Sequence, residues 1–578
     1  MKIRIGTRGS ELALWQARHV AARLRPEHEA SLVILQTRGD RIDDLPLTQV
    51  EGKAFFTAEI ERALLDGEVD LAVHSHKDLP VAGPPGLLLA AVPARAAADE
   101  RLLVRADAHD PAGAVVPLRP GARVGTSSPR RQAQLAALRS DLQLAPLRGN
   151  VPTRVRRLLE GRHDAIVLAQ AGLERLGLCG EGLPAGLVEV PLPLCVPAPA
   201  QGALALQVRA DDAALAEVCR QRFADADAEQ ACAVERQLLS ALGGGCNLPL
   251  GAHLSVVPAA DGRRHYRLLA FLGADHPAPG AAARWAEATA ADPQQAIAAV
   301  LARLRSGDAT GCGPLAGLRV ALVGSGELPG APSRLARRLA TLGAQVQHEI
   351  VLEIRELPGR AQLPARVAVL QPGDVLAVTS RQAAVRLSGC CVPAGVLVAA
   401  VGAATAESLA AVGITAELVG RGGARELAVA LRESVAARVA RDGGPPQRAV
   451  RVLFPCGEAA RDELPALAAD RTVADFVVEA LVCYRSVPAA VPDPLRAADV
   501  RVYGSAVAVE AALATGREFE GAATRPARRF ALGPGTAAAL ANAGLSCEAP
   551  GDAGPEALVQ HLLRVATGAA SQSSLAPP

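Results

Sequence analysis

Apolar positions over the first 98 residues alternate between short unbroken runs of strand length and longer stretches with helical spacing. Positions 3–5 read as a strand, 6–10 as a loop, and 11–24 as an amphipathic helix with Ser10 at its N-cap. Apolar runs at 32–36 and 69–73 add two strands. Strands separated by helices predict a parallel sheet with crossover helices. The same pattern resumes over 99–199, with strands at 123–125 and 165–168 and a helix from Pro129. The proline-rich stretch 191–199 reads as an extended connector, and 203–208 as a further strand. A helix at 228–242 stops at Gly243-Gly244-Gly245, and strands at 267–271 and 283–290 with a helix at 294–304 complete a small α+β domain.

Beyond a Gly- and Ser-containing linker the pattern restarts and repeats itself. VGAATAESLAAVGI from Val401 is echoed by LGPGTAAALANAGL from Leu532, and Val378-Thr379-Ser380 by Tyr503-Gly504-Ser505. Two similar α/β halves flanking a cleft are the simplest account. The expected division is an α/β lobe over 1–98 and 200–216, a second over 99–199, and the α+β domain over 217–305. A linker at 306–316 follows, then one lobe of a second module over 317–352 and 488–567, another over 353–487, and a disordered tail at 568–578.

Half of the 578 residues are apolar, but only 2 Trp, 3 Tyr and 8 Phe are present, so the cores must rest on Leu, Val and Ala. A net charge of +2 argues against a protein whose main partner is a nucleic-acid backbone. No run approaches the roughly 18 uninterrupted apolar residues of a membrane span, and no apolar signal-peptide core opens the chain. Eleven cysteines without a C-x-x-C pair indicate neither a disulfide framework nor a zinc ribbon. A soluble, cytoplasmic, monomeric protein without membrane or nucleic-acid partner is expected. Of 61 lysines and arginines only Lys2, Lys53 and Lys77 are lysine. Arginine does not replace a compact, deprotonatable ammonium, so Lys53 and Lys77 become candidates for chemistry.

Three places carry candidate chemistry. The strand ending at Val73 opens into His74-Ser75-His76-Lys77-Asp78, at the carboxyl end where α/β sheets bind ligands. A fixed carboxylate at Asp78 could stabilise a cationic intermediate and move a proton. Metal binding by His74 and His76 lacks a companion ligand pattern, and no metal is expected. In Thr126-Ser127-Ser128-Pro129-Arg130-Arg131, Ser128 and Pro129 suit a helix start, yet two arginines occupy a first turn whose dipole is already positive. Arg148-Gly149-Asn150-Val151-Pro152-Thr153-Arg154 repeats the violation. With Arg8, these groups could grip a polyanion. Third, Cys246 follows three glycines just past a helix, where a thiol is accessible for covalent attachment.

Together these stretches resemble hydroxymethylbilane synthases, also called porphobilinogen deaminases. The likeness is carried by TRGSELALWQA at 7–17, AVHSHKDLP at 72–80, VGTSSPRRQAQL at 124–135, LRGNVPTR at 147–154, PAPAQGALA at 197–205 and LGGGCNLPLG at 242–251. The resemblance implies a dipyrromethane cofactor held by a thioether to Cys246, extended by four porphobilinogen units with loss of ammonia and then hydrolysed to hydroxymethylbilane. It further implies that Arg8, Arg130, Arg131, Arg148 and Arg154 hold acetate and propionate arms. Asp78 would stabilise the cation of each condensation, with Lys53 and Lys77 as basic partners. Ser10, Thr126, Ser127, Ser128, Asn150 and Gln201 fall on its hydrogen-bonding loops. The fold implied is two periplasmic-binding-protein-like lobes plus the α+β domain. His76, Ala58 and Ala200 depart from the family pattern, Ala200 standing where glycine is frequent.

The region 317–567 is similar to uroporphyrinogen-III synthases, two-lobed α/β enzymes that cyclise hydroxymethylbilane with inversion of its last ring. Tyr484 is then the candidate to help expel the hydroxyl, and loops at Ser380, Thr405, Ser505 and Thr536 would hold carboxylates. Gly324-Ser325-Gly326 replaces the usual strand-end Thr-Arg-Pro, so a catalytically weak or regulatory second half is the alternative. Dinucleotide binding is a competing reading, since the stretch from Gly533 matches G-x-G-x-x-A, but its duplicate at Gly402-Ala403-Ala404 lacks the second glycine. A non-enzymatic anion receptor is another, though it needs no thiol at Cys246.

Overall fold

The computed structural model describes residues 1–36, 57–111, 115–245, 248–258, 263–274, 283–306, 312–325, 333–420, 424–442, 448–458, 464, 475–489, 497–514, 527–548 and 555–566. The chain forms two units, one built on Met1–Gly317 and one on Leu318–Arg338 and Val346–Leu558.

In the first unit, strands β1 (Lys2–Arg8), β2 (Glu29–Leu35), β3 (Leu71–Ser75) and β4 (Leu87–Ala91) precede β5 (Glu100–Arg105), β6 (Arg123–Gly125), β7 (Gln143–Ala145), β8 (Ala165–Ala169), β9 (Leu187–Pro191) and β10 (Leu204–Arg209). They make two five-stranded sheets, ordered β2-β1-β3-β10-β4 and β7-β6-β8-β5-β9. In the first, β1 runs parallel to β2 and β3, and β10 lies antiparallel to β3 and β4. In the second, β6 runs parallel to β7 and β8, and β5 lies antiparallel to β8 and β9. Each sheet therefore has three parallel strands, an antiparallel intruder and an edge strand in the same order.

Helix α1 (Glu11–Leu24) begins where Ser10 Oγ accepts from the Ala13 amide at 3.4 Å. Its Ala17, Val20 and Leu24 pack on Ile3, Ile5, Leu71, Val73, Leu206 and Val208. Each such leucine or isoleucine contributes on the order of 2 kcal/mol by leaving water. Helix α2 (Ala58–Leu65) covers the opposite face through Ile60 and Leu64. On the second sheet α3 (Pro129–Leu138), α4 (Val151–Leu159) and α5 (Gln170–Arg175) begin directly after β6, β7 and β8. After α6 (Ala213–Phe223), helices α7 (Ala226–Ala241) and α8 (Pro293–Ser306) pack on an antiparallel sheet of β11 (Leu250–Pro258), β12 (Arg264–Leu272) and β13 (Arg284–Ala290).

The second unit contains a sheet ordered β15-β14-β22-β23, from β14 (Arg319–Gly324), β15 (Gln345–Ile350), β22 (Val500–Tyr503) and β23 (Arg528–Ala531), in which β14, β22 and β23 run parallel. Its other sheet runs β16-β21-β20-β17-β18-β19, from β16 (Leu352–Glu356), β17 (Val375–Val378), β18 (Leu397–Ala400), β19 (Leu418–Val419), β20 (Val450–Gly457) and β21 (Phe476–Pro488). Helix α9 (Arg334–Thr341) precedes β15, and α10 (Gly359–Ala368) precedes β17. The internal repeat has a structural counterpart. Ser380 caps α11 (Arg381–Arg386) after β17 and Gly402 leads into α12 (Ala403–Ala410) after β18. After α13 (Ala424–Asp442), the amide of Ala508 in α14 (Ala506–Ala514) is bonded to Ser505 Oγ at 3.2 Å, and Gly533 leads into α15 (Pro534–Asn542). The last described element is α16 (Pro555–Ala566).

The architecture is mixed α/β throughout. Among the described residues no helix is long and apolar enough to cross a membrane.

Candidate active site

Parallel strands aim their carboxyl ends at one edge, and the loops there carry the polar residues. Arg8 ends β1 and Ser10 caps α1, its hydroxyl already accepting a helix amide. Ser75 ends β3, and a single 3-10 turn, His76–Asp78, follows. Burial pushes the imidazole of His74 down to about 4 and that of His76 down to about 3, so both are neutral at pH 7. Lys77 Nζ donates to Gln201 Oε1 at 3.1 Å, and Gln201 Nε2 donates to the Ala98 carbonyl at 2.7 Å. Asp78 is half-buried beside it. Among the described residues no three His, Cys, Asp or Glu side chains gather as a metal site.

On the facing sheet, Thr126 Oγ1 accepts from the Ser128 amide at 3.3 Å, and Ser128 Oγ from the Arg131 amide at 3.5 Å. Ser127 Oγ clasps the neighbouring loop, donating to the Leu147 carbonyl and accepting from its amide, each at 2.9 Å. Asn150 Oδ1 caps α4 by accepting from the Thr153 amide at 2.9 Å. Arg148 lies in the loop before α4, and Arg154 Nε donates to the Gly149 carbonyl at 2.7 Å. The hydroxyls and the amide thus hold these loops in shape.

The two arginines in the first turn of α3 have a partner that the sequence did not reveal. Glu100, at the start of β5, is 1 % exposed and receives both guanidiniums. Arg130 Nη2 donates to its Oε1 at 2.5 Å, while Arg131 donates from Nε to Oε1 at 3.0 Å and from Nη2 to Oε2 at 2.7 Å. These cations outweigh the penalty of burial and bring the Glu100 carboxyl down to about 2. The conflict with the helix dipole is answered by this buried anion.

Lys77, Arg131, Arg154 and Arg175 line one pocket with Leu12, Ser75, Gly172 and Gly202, and no carboxylate shares its lining. Arg175 is a further site residue that sequence reading missed; its guanidinium donates to the Gly202 carbonyl at 2.7 Å and lies 5.7 Å from the Trp15 ring. Burial lowers Lys77 to about 8, helped by Arg131, and brings Arg154 and Arg175 down to about 10. Four desolvated cations facing one cavity are an electrostatic demand for a ligand with several carboxylates.

Behind this pocket the two segments joining the sheets are pinned to α7. Arg95 donates from Nε to the Gln201 carbonyl at 2.8 Å and grips Glu235 at 2.7 and 2.9 Å. Glu235 also accepts from the amides of Ala200 at 2.7 Å and Leu254 at 2.9 Å. Lys53 and Cys246 lie outside the described residues, as does the tail at 568–578.

In the second unit Tyr484, on β21, shares a 2.8 Å hydrogen bond with Ser380 Oγ. The Arg386 guanidinium stacks 4.7 Å from the tyrosine ring and pairs with Glu356 at 2.8 Å. Burial pushes the phenol pKa up. Gly457 abuts the ring, since a Cβ there would meet it at 2.9 Å. Thr405 and Thr536 are buried in the first turns of α12 and α15, and Ser505 lies at the start of α14.

A family model described as porphobilinogen deaminase, dipyromethane cofactor binding domain, matches residues 3–217. A second, described as uroporphyrinogen-III synthase HemD, matches residues 333–560. The chain is 47% identical over 274 residues to a porphobilinogen deaminase of Nitratidesulfovibrio vulgaris, covering 46% of this chain and 83% of that protein. It is 46% identical over 257 residues to a porphobilinogen deaminase of Geobacter sulfurreducens, covering 44% of this chain and 77% of that one. Among solved structures, a mutant uroporphyrinogen III synthase from the extremely thermophilic bacterium Thermus thermophilus aligns over 43% of this chain and 99% of its own, at 19% identity and a TM-score of 0.27.

Proposed function

Because the chain belongs to the porphobilinogen deaminase family over its first half, and carries a uroporphyrinogen-III synthase domain in its second, we propose how its own residues divide the work of a bifunctional tetrapyrrole-biosynthesis enzyme. The first half is a transferase that condenses four porphobilinogen units to hydroxymethylbilane with loss of ammonia. The second is a lyase that closes this linear product to uroporphyrinogen III.

The observation that carries the site assignment is the pocket lined by Lys77, Arg131, Arg154 and Arg175 without a carboxylate. Those donors suit a dipyrromethane bearing acetate and propionate arms, and Cys246 is the residue we assign to its thioether. When bound, that group supplies the free pyrrole end to which each unit is added. Arg8, Arg131, Arg148 and Arg154 orient carboxylates at the strand ends. Asp78 holds its negative charge where ammonia leaves, stabilising the developing cation and taking the pyrrole proton. Lys77, fixed by Gln201, supplies a positive contact beside it, and Lys53 completes the basic set.

We read the two five-stranded sheets as lobes of the periplasmic-binding-protein type; their shared strand order supports this. In the second half Ser380 orients the Tyr484 hydroxyl, which assists departure of the bilane's hydroxyl, and the loops at Thr405, Ser505 and Thr536 hold carboxylates. The chain is read as a cytoplasmic monomer, and the ten described cysteines, all free, support a reducing compartment.

Intact mass tests the attachment: the purified chain should exceed its sequence mass by a dipyrrole, and Cys246→Ser should lose both adduct and turnover. Porphobilinogen fed to the intact chain should yield the inverted cyclic isomer. Linear product and non-inverted isomer alone would favour a weak or regulatory second half.

A further inference from the structure

Glu100 has no role in the chemistry described so far, yet it is the anion on which Arg130 and Arg131 converge. Its side chain is fully buried, and three guanidinium N–H groups close on it. The other bonded donors of the pair reach carbonyls, Arg130 Nη1 at Val196 (2.7 Å) and Arg131 Nη1 at Val167 (2.9 Å). Arg131 lines the pocket, whereas Arg130 is absent from its lining. The two guanidiniums therefore play different parts. Arg130 balances the charge of Glu100, and Glu100 fixes the aim of Arg131.

We propose that Glu100 is a positioning residue for the carboxylates of porphobilinogen and of the growing chain, clamping Arg130 and Arg131 into one rigid array at the base of the cleft. The inference rests on the deaminase reading of this site. Two arginines without a shared anion would repel one another and splay in a first turn whose amides are also positive. With the anion present, a ligand carboxylate meets guanidinium N–H groups already oriented, so little side-chain entropy is lost on binding. Such a device acts on binding more than on the bond-making step.

The test compares Glu100→Gln and Glu100→Asp in the full-length chain by KM, kcat and intact mass. In Glu100→Gln the KM for porphobilinogen should rise about tenfold or more, kcat should change less, and a larger fraction should lack the dipyrrole adduct. Glu100→Asp keeps the charge but draws it back by one methylene, so its KM should rise about threefold and most chains should carry the adduct. A folded Glu100→Gln with unaltered KM and full adduct overturns the proposal, as does one that loses kcat at constant KM. If Glu100→Gln fails to fold, Glu100→Asp decides, and its unaltered KM is the overturning result. An unsubstituted chain that does not consume porphobilinogen defeats the deaminase reading instead.

Discussion

At pH 7 Lys77 carries its proton, but burial and the adjacent guanidiniums of Arg131 and Arg130 bring its pKa from 10.5 to about 8. The cation is present below that value and lost above it, so carboxylate binding should weaken on the alkaline side. We expect KM for porphobilinogen to climb about tenfold per pH unit above this point. Lys77→Arg should flatten the climb, because a guanidinium keeps its charge; a climb of equal slope in that variant would count against Lys77. Stability should move oppositely. Between about 8 and 10.5 the unfolded chain holds a proton that the folded chain lacks, so raising the pH across this window favours the fold. At this scale the sequence was informative about charge and silent about partners. Arg130 and Arg131 stood out because they violate the helix dipole, but an acid opening the strand Glu-Arg-Leu-Leu-Val-Arg reads as solvated edge. The roles of Ser127 and Asn150 were equally hidden, since a hydroxyl or amide that clasps a loop has the same chemistry as one that holds a ligand.

The segments joining the two sheets of the first unit illustrate how elements are held. Gly202 has φ of 86°, and a Cβ there would stand 2.4 Å from the Ala96 carbonyl oxygen. Gly202→Ala should therefore cost about 2–3 kcal/mol and lower the first denaturant transition. Glu235→Gln, which leaves Arg95 buried without its charge partner, should cost about 3–5 kcal/mol by the same measurement. Ala200, next to this crossing, adopts φ of 61° although it is not glycine, and its amide is bonded to Glu235. Helix 11–24 and the strands around 123–125 and 165–168 were readable because amphipathic period and cap agree. Strand β11 was missed: Leu250, Ala252 and Leu254 alternate inward, but Gly251 and the flanking prolines carry the signature of a loop. Strand β5 was missed because Glu100, Arg101 and Arg105 confine its apolar run to Leu102–Val104.

Across the whole chain, two activities that share an intermediate occupy separate units, so a substitution in one should leave the other's chemistry running. Tyr484→Phe removes the hydroxyl that meets Ser380. It should lower formation of the inverted isomer about 100-fold while porphobilinogen consumption continues, as chromatography of the oxidised porphyrins would reveal. An unchanged isomer ratio would remove Tyr484 from the second reaction. The duplicated sequence stretches made the matching strand-to-helix turns at Ser380 and Gly402 and at Ser505 and Gly533 legible, whereas the Arg386 stack on the tyrosine depends on a long-range meeting of α11 with β21 that local pattern does not encode. The scarcity of lysine has a practical outcome. Lys2 sits in open solvent, its side chain 85% exposed, whereas Lys77 faces the cleft and sheds its proton readily. An amine-acylating reagent at mild alkaline pH thus has few targets, and Lys2 supplies an internal reference. Peptide mapping after cleavage at arginine should show porphobilinogen shielding Lys77 from the label while Lys2 reacts as before, turning an ordinary tagging reaction into an occupancy gauge.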